Sequence, residues 1–153
     1  MPLPQIYYDK WNKIRKMTTN IVKTIPEDAD YTWKPHSDMK SLGELISHII
    51  FANYLVLNKF FDQKLEVPTI IKAGPHDKKS LFPYLDQSSS LVKDVFNTLS
   101  TSDLPQEREP GKNDWTTESI IRHLEDHEVH HSAQLKMYLK LLNIDTKEIK
   151  FCK

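Results

Sequence analysis

The stretch IRHLEDHEVHHSAQL, residues 121–135, contains four of the seven histidines of this 153-residue chain. Its apolar residues recur at steps of three and four, which predicts one amphipathic helix. His127 and His131 are four residues apart, so their side chains project from the same helix face about one turn apart. Two imidazoles at this spacing can bind one metal ion, and the stretch therefore predicts a helix that carries metal ligands.

The same periodicity extends on both sides of this stretch and predicts a long helix over residues 117–142. Its inward stripe advances by steps of three and four through Ile120, Leu124, His127, His131, Leu135, Tyr138 and Leu142. His127 and His131 thus occupy positions where the pattern favours apolar residues. His48 does the same in a second, strongly apolar segment. We therefore predict a divalent-metal site inside a helical bundle, with ligands from two helices.

Three further helices are predicted from periodicity and from their end signals. One covers residues 5–25, a second begins at Ser41, and a third covers residues 80–99, with Pro83 in its first turn. Ser41 and Glu44 match a capping box. Prolines concentrate in the links over residues 26–40, 64–79 and 100–114, and the chain has only three glycines. The pattern predicts an all-α protein, a four-helix bundle that forms a single domain over residues 1–153.

Composition limits the classes of function. The 21 basic and 21 acidic residues balance to a formal net charge of zero, which gives no reason to expect binding to nucleic acid or to an anionic membrane. The most apolar segment, residues 42–61, is interrupted by polar side chains, so no membrane span is expected. The N-terminus lacks the pattern of a secretory signal, and the single cysteine, Cys152, fits a reducing compartment. We expect a cytoplasmic protein with a small-molecule substrate, whose remaining apolar helix faces would suit a homodimer.

The ligand atoms that the sequence offers limit which kind of metal site it can form. Neutral imidazole suits zinc, nickel, copper and iron. Because no cysteine lies near these histidines, a closed structural zinc site is disfavoured, and three ligands with an open position are typical of a catalytic site. The alternative is a set of core histidines held by hydrogen bonds without a metal. Several buried imidazoles lacking partners would be costly, which favours the metal.

Glu128 and Gln134 are the candidate catalytic groups. Glu128 completes a literal His-Glu-x-x-His match with His127 and His131, the motif in which zinc proteases use the glutamate as a general base. No third ligand follows, so a protease is disfavoured. We expect Glu128 to be a surface carboxylate, with a base or a group behind the ligands as alternatives. Gln134 faces the same side as His131, where it would contact a substrate, orient a ligand or simply lie at the bundle mouth.

Two other histidines and two tryptophans lie close to these candidates in the sequence. His123 and His130 are expected on the flank or the surface of the fourth helix, although either is an alternative ligand. Trp33 and Trp115 precede the second and fourth helices. They would wall a pocket at the histidine-bearing end or pack in the core.

Three segments together resemble the DinB/YfiT-like family: Trp33-Lys34-Pro35, SLGELISH at residues 41–48 and HEVHHSAQ at residues 127–134. The resemblance covers nearly the whole chain in order and spacing. It implies a small four-helix bundle with a metal ion held by His48, His127 and His131. Water or a substrate group would complete the coordination, and zinc or nickel is the expected metal.

The resemblance leaves the reaction open. Members of the family include thiol S-transferases that use low-molecular-weight thiols such as bacillithiol, and mycothiol-dependent maleylpyruvate isomerases. Others are regarded as metal-dependent hydrolases. The expected function is therefore a metal-dependent transfer of a thiol to a small electrophile. The alternatives are a metal-dependent hydrolase and a non-catalytic bundle that binds metal for stability.

Overall fold

The computed structural model describes residues 3–112, 114–147 and 149, so Cys152 lies outside the described residues. Within these residues there are five α-helices, one 3₁₀ turn and no strand. The elements are α1 (Leu3–Thr24), α2 (Leu42–Phe60), α3 (Thr69–Ala73), α4 (Lys78–Thr98), the 3₁₀ turn Thr101–Asp103 and α5 (Thr117–Leu141). The four long helices confirm the predicted all-α, four-helix architecture.

The helix starts follow from local capping, with one difference from the prediction. At α2 the Ser41 hydroxyl accepts from the Glu44 N–H while the Glu44 carboxylate accepts from the Ser41 N–H, which is the predicted capping box. Helix α4 begins at Lys78, because the Asp77 carboxylate accepts from the Ser80 N–H and caps the helix. Pro83 therefore lies in the second turn of α4 and not in the first, where its ring removes one helical hydrogen bond.

The long link between α1 and α2 is explained by the way the helices pack. Helices α1 and α2 each pack against both α4 and α5, so α1 and α2 occupy opposite corners of the bundle. A chain that passes from one corner to the opposite one needs a long connection, which residues 25–41 supply.

None of the helices in the described part of the chain combines the length and apolar character that a membrane crossing requires.

The segment that follows α3 lies directly against the start of α2. A Cβ atom built on Gly43 would stand 1.8 Å from the carbonyl oxygen of His76. Only glycine allows this approach, since no real Cβ comes so close to a backbone atom. Gly43 thus fixes His76 beside the helix that carries His48, and this contact shapes the wall of a cavity described below.

A buried polar layer divides the core into two apolar clusters. On α1, Arg15 lies between Trp11 of one cluster and Ile21 of the other, and on α5 Glu128 lies between Leu124 and Leu135 in the same way. The bundle therefore contains a polar cross-link at mid-height, between two regions stabilised by apolar burial.

Candidate metal centre

The fold brings the three predicted ligands together. The Nε2 atom of His48, on α2, lies 3.1 Å from Nε2 of His127 and 3.1 Å from Nε2 of His131, both on α5. One ligating atom from each residue can be chosen so that all three lie within 4.8 Å of one another. Since α2 and α5 pack side by side, the predicted site with ligands from two helices has the required geometry.

The donor set fits a divalent transition metal. Three imidazole nitrogens converge, and the group has no thiolate or carboxylate ligand. A metal bound by three protein ligands retains an open position, as in catalytic sites. Without a cation, Nε2 of His48 faces two other ring nitrogens, and one hydrogen on it would have to serve both of them. A shared cation removes this conflict, so the histidines are positioned to hold a metal ion.

A hydrogen-bonded chain fixes the orientation of His131. Its Nδ1 atom is 2.9 Å from Oε1 of Gln134, which can only accept, so Nδ1 carries the proton and Nε2 is free to bind a metal. The Gln134 amide donates to the Tyr138 hydroxyl, which in turn donates to the Lys40 carbonyl oxygen at 3.0 Å. Trp33 packs edge-on against the Tyr138 ring. Gln134 therefore holds the ring of His131, an arrangement that suits one of the roles considered from the sequence, the orientation of a ligand.

Replacing Gln134 with leucine should weaken zinc binding by about 10- to 100-fold, because groups behind metal ligands typically contribute that much to affinity. The ring of His131 would lose the acceptor that fixes its tautomer. The dissociation constant can be measured by competition with a chromogenic chelator. Gln87→Leu, at an exposed position of α4, is the matched control. An unchanged constant in Gln134→Leu would show that the contact does not orient His131.

The surroundings of the site favour neutral imidazoles. Burial, with a smaller effect of His131 and Lys40, lowers the pKa of His48 to about 4. Burial, reinforced by the neighbouring histidines, lowers the pKa of His127 to about 3. The pKa of His131 is also lowered, mainly by burial. Neutral imidazole is the form that binds metal, so at pH 7 these ligands need not release a proton first.

The stability of the metal-free protein should fall as the pH drops from 6.5 towards 4. In this window the unfolded chain takes up protons on its histidines, while the folded protein keeps His48 and His127 neutral. Stability present above pH 6.5 is therefore lost on acidification. The two shifts alone correspond to about 5 to 6 kcal/mol. Because both rings are partly exposed to solvent, we expect about half of this loss, about 2 to 3 kcal/mol, measured by urea unfolding with chelator present. A flat profile across this range would contradict the lowered pKa values.

Glu128 is not the surface carboxylate that the sequence led us to expect. Its side chain is 1% exposed and forms a 2.8 Å ion pair with Arg15 of α1. Its other oxygen accepts from the Thr18 hydroxyl at 2.6 Å, and Thr18 also bonds to Ser132. The physical reason is that residue 128 faces α1, whereas its sequence neighbour His127 faces α2. Glu128 is thus fixed inside the bundle, against α1.

The buried contacts that Arg15 makes with Glu128 and its neighbours were not predicted from the sequence. The guanidinium of Arg15 also donates to the hydroxyl of Ser88 on α4 and lies over the ring of Trp11. A signal was available, since Trp11, Arg15, Thr18 and Val22 advance along α1 by four, three and four residues, the spacing of a buried face. Polar residues on such a face indicate a buried polar contact.

His123 and His130 are exposed, as expected, and neither belongs to the three-histidine group. The ring of His130 lies 4.8 Å from that of His131, and the ring of His123 lies 6.3 Å from that of His127. Trp115 stacks on an aromatic ring of α2 and meets His123 edge-on. These side chains flank the site but are not placed as ligands.

Comparisons with known proteins agree with the fold. A family model described as the DinB superfamily matches residues 10–135. A solved DinB-like protein from Bacillus cereus ATCC 10987 is similar over 96% of this chain and 95% of its own, with a TM-score of 0.79 and 14% identity. A DinB-like protein from Bacillus subtilis is similar over 95% of each chain, with a TM-score of 0.71 and 19% identity. Among curated proteins no match was found.

Proposed function

We propose that this chain, which belongs to the DinB superfamily, binds one divalent metal ion through His48, His127 and His131 and transfers a low-molecular-weight thiol to a small electrophile. The observation that carries the proposal is the convergence of three imidazole nitrogens. Zinc or nickel fits this donor set. We place the activity in the cytoplasm, where low-molecular-weight thiols are kept reduced.

The residues of the chain have separate roles in this proposal. The bound metal would favour the thiolate over the thiol and so supply the nucleophilic form. His127 and His131 present adjacent donors from one helix, and Gln134 keeps His131 in the tautomer that leaves Nε2 free. The thiolate sulfur forms a bond to the electrophilic carbon while the leaving group departs with its electron pair, and the thiol proton passes to solvent.

Hydrolysis is the second reaction that such a metal supports, because a bound metal also lowers the pKa of water. A hydrolase of the His-Glu-x-x-His type needs its glutamate beside the substrate as a base. Here both oxygens of Glu128 are engaged inside the bundle, by Arg15 and by Thr18. This arrangement disfavours a hydrolase of the His-Glu-x-x-His type, whereas thiol transfer needs no carboxylate base.

The proposal is tested by incubating zinc-loaded or nickel-loaded protein with bacillithiol and 1-chloro-2,4-dinitrobenzene and measuring the conjugate and the released chloride. We expect conjugation that disappears when the metal is removed and returns when it is added back. Hydrolysis of 4-nitrophenyl acetate, measured in parallel, tests the alternative. Metal-loaded protein that accelerates neither reaction over a panel of thiols and electrophiles would leave a non-catalytic metal-binding bundle and overturn the proposal.

A further inference from the structure

A cavity of about 520 Å³ opens beside His48, which forms part of its wall. The cavity lies between the loop that precedes α2, the first half of α2 and the short helix α3. Its apolar surface comes from Met39, Phe51 and Ile71. The volume lies in the range of small-molecule sites, and the other lining residues are polar or charged.

Three lysines and two carboxylates line the cavity, so its lining carries an excess of one positive charge. Glu44 accepts from the Ser41 backbone N–H and lies 3.5 Å from the Lys34 ammonium. Asp38 is largely exposed and accepts from the Ser37 hydroxyl at 3.3 Å. Neither carboxylate pairs with the remaining two lysines, Lys40 and Lys72.

Lys40 and Lys72 form no ion pair within residues 3–112, 114–147 and 149. The backbone of Lys40 is held by the Tyr138 hydroxyl, in the same chain of hydrogen bonds that orients His131. The position of this lysine is therefore coupled to the position of a metal ligand.

We infer that this cavity is a binding site for the carboxylate end of a small organic acid, with Lys40 and Lys72 as its cationic partners and the apolar wall as the contact for its body. The inference rests on the proposed function, because it assigns the substrate class of the same site. A substrate bound this way would extend from the lysines to His48 and place its reacting end at the metal.

The chemistry of the lining residues favours carboxylate over phosphate. Phosphate sites commonly use a free helix N-terminus or the two-pronged hydrogen bonding of arginine. Here the N-terminus of α2 is capped by the Ser41 hydroxyl and the Glu44 carboxylate, and the lining residues include no arginine. Lysine is a point charge that pairs with either anion, so the preference for carboxylate rests on the helix N-terminus, which is already capped.

The test compares benzylsuccinate, an apolar body with two carboxylates, with the neutral diamide of the same acid. Binding of both probes is measured by chemical-shift titration on the zinc-loaded full chain and on the metal-free full chain. We expect the dicarboxylate to bind about tenfold more tightly than the diamide in both forms, as two partly exposed charge contacts would provide. The preference should weaken as the salt concentration rises.

The double variant Lys40→Gln/Lys72→Gln should bring the ratio of the two dissociation constants close to one, whereas Lys93→Gln, at an exposed position of α4, should keep it. A ratio near one in the wild type, or an unchanged ratio in the double variant, overturns the inference. The metal-free arm separates the two proposals. If the wild type prefers the dicarboxylate over the diamide but shows no metal-dependent activity, the proposed function is refuted. If it is active with metal but binds the two probes equally, the anion site alone is refuted.

Discussion

Replacing His131 with alanine should weaken zinc binding by at least about a thousandfold, which corresponds to about 4 kcal/mol. The variant retains only His48 and His127 of the three convergent donors. It also removes the ring that Gln134 orients. The dissociation constants of wild type and variant can be measured by competition with a chelator of known affinity.

The matched control for this prediction is His130→Ala. His130 is the preceding residue on the same helix, is exposed, and lies outside the three-histidine group. The His130→Ala variant should bind zinc like the wild type. It therefore distinguishes loss of the site from non-specific binding to surface histidines and from general damage to α5. Equal loss in the two variants would indicate a different ligand set.

Replacing Glu128 with glutamine should destabilise the folded protein by about 3 to 5 kcal/mol, since it leaves a buried guanidinium without its counter-charge. Arg15 and Glu128 are nearly inaccessible, with side-chain exposures of 2% and 1%. A loss of this size is a large part of the 5 to 15 kcal/mol, roughly, that stabilises a typical domain. The free energy of unfolding can be measured by urea denaturation with saturating zinc.

The double variant Arg15→Met/Glu128→Leu is the control for that prediction. It removes both charges, and apolar replacement of a buried ion pair is often neutral or stabilising. The hydroxyls of Thr18 and Ser132 would still bond to each other. We expect most of the stability to return, together with metal binding. A double variant that is stable and metal-loaded but inactive would instead identify Glu128 as part of the reaction.

The helices and the three histidines could be predicted because both follow from the helical period. A histidine at a position where the helical pattern favours an apolar residue can be recognised from a single sequence. The helical period is less informative on α2, where Leu55 lies seven residues after His48, at helical spacing, and is nevertheless 51% exposed. Helix α2 is apolar on so much of its surface that periodicity does not single out its buried face.

The environment of Glu128 could not be predicted, because helix α5 buries two faces and the apolar pattern was used for only one. Glu128 and Ser132 lie on a second buried face, which shares Leu124 and Leu135 with the predicted stripe and contacts Thr18 of α1. The partner of Glu128, Arg15, is 113 residues away in the chain. The periodicity of α1 indicates that Arg15 is buried, but no local pattern identifies a partner so far away in the chain.

The cavity could not be predicted from the sequence either. Its wall is assembled from a loop, one face of α2 and a five-residue helix inside a predicted link. The sequence offered no reason to place Lys40 and Lys72 together beside His48. Tertiary packing alone brings these groups to one site.

The metal content of the protein shows whether three histidines hold one metal ion. Untagged protein would be purified without chelators, incubated with zinc or nickel, desalted and analysed for metals. We expect one divalent ion per chain, bound through the three-histidine group. Protein that retains no metal after this treatment would refute the metal site and leave His48, His127 and His131 as core histidines without a metal.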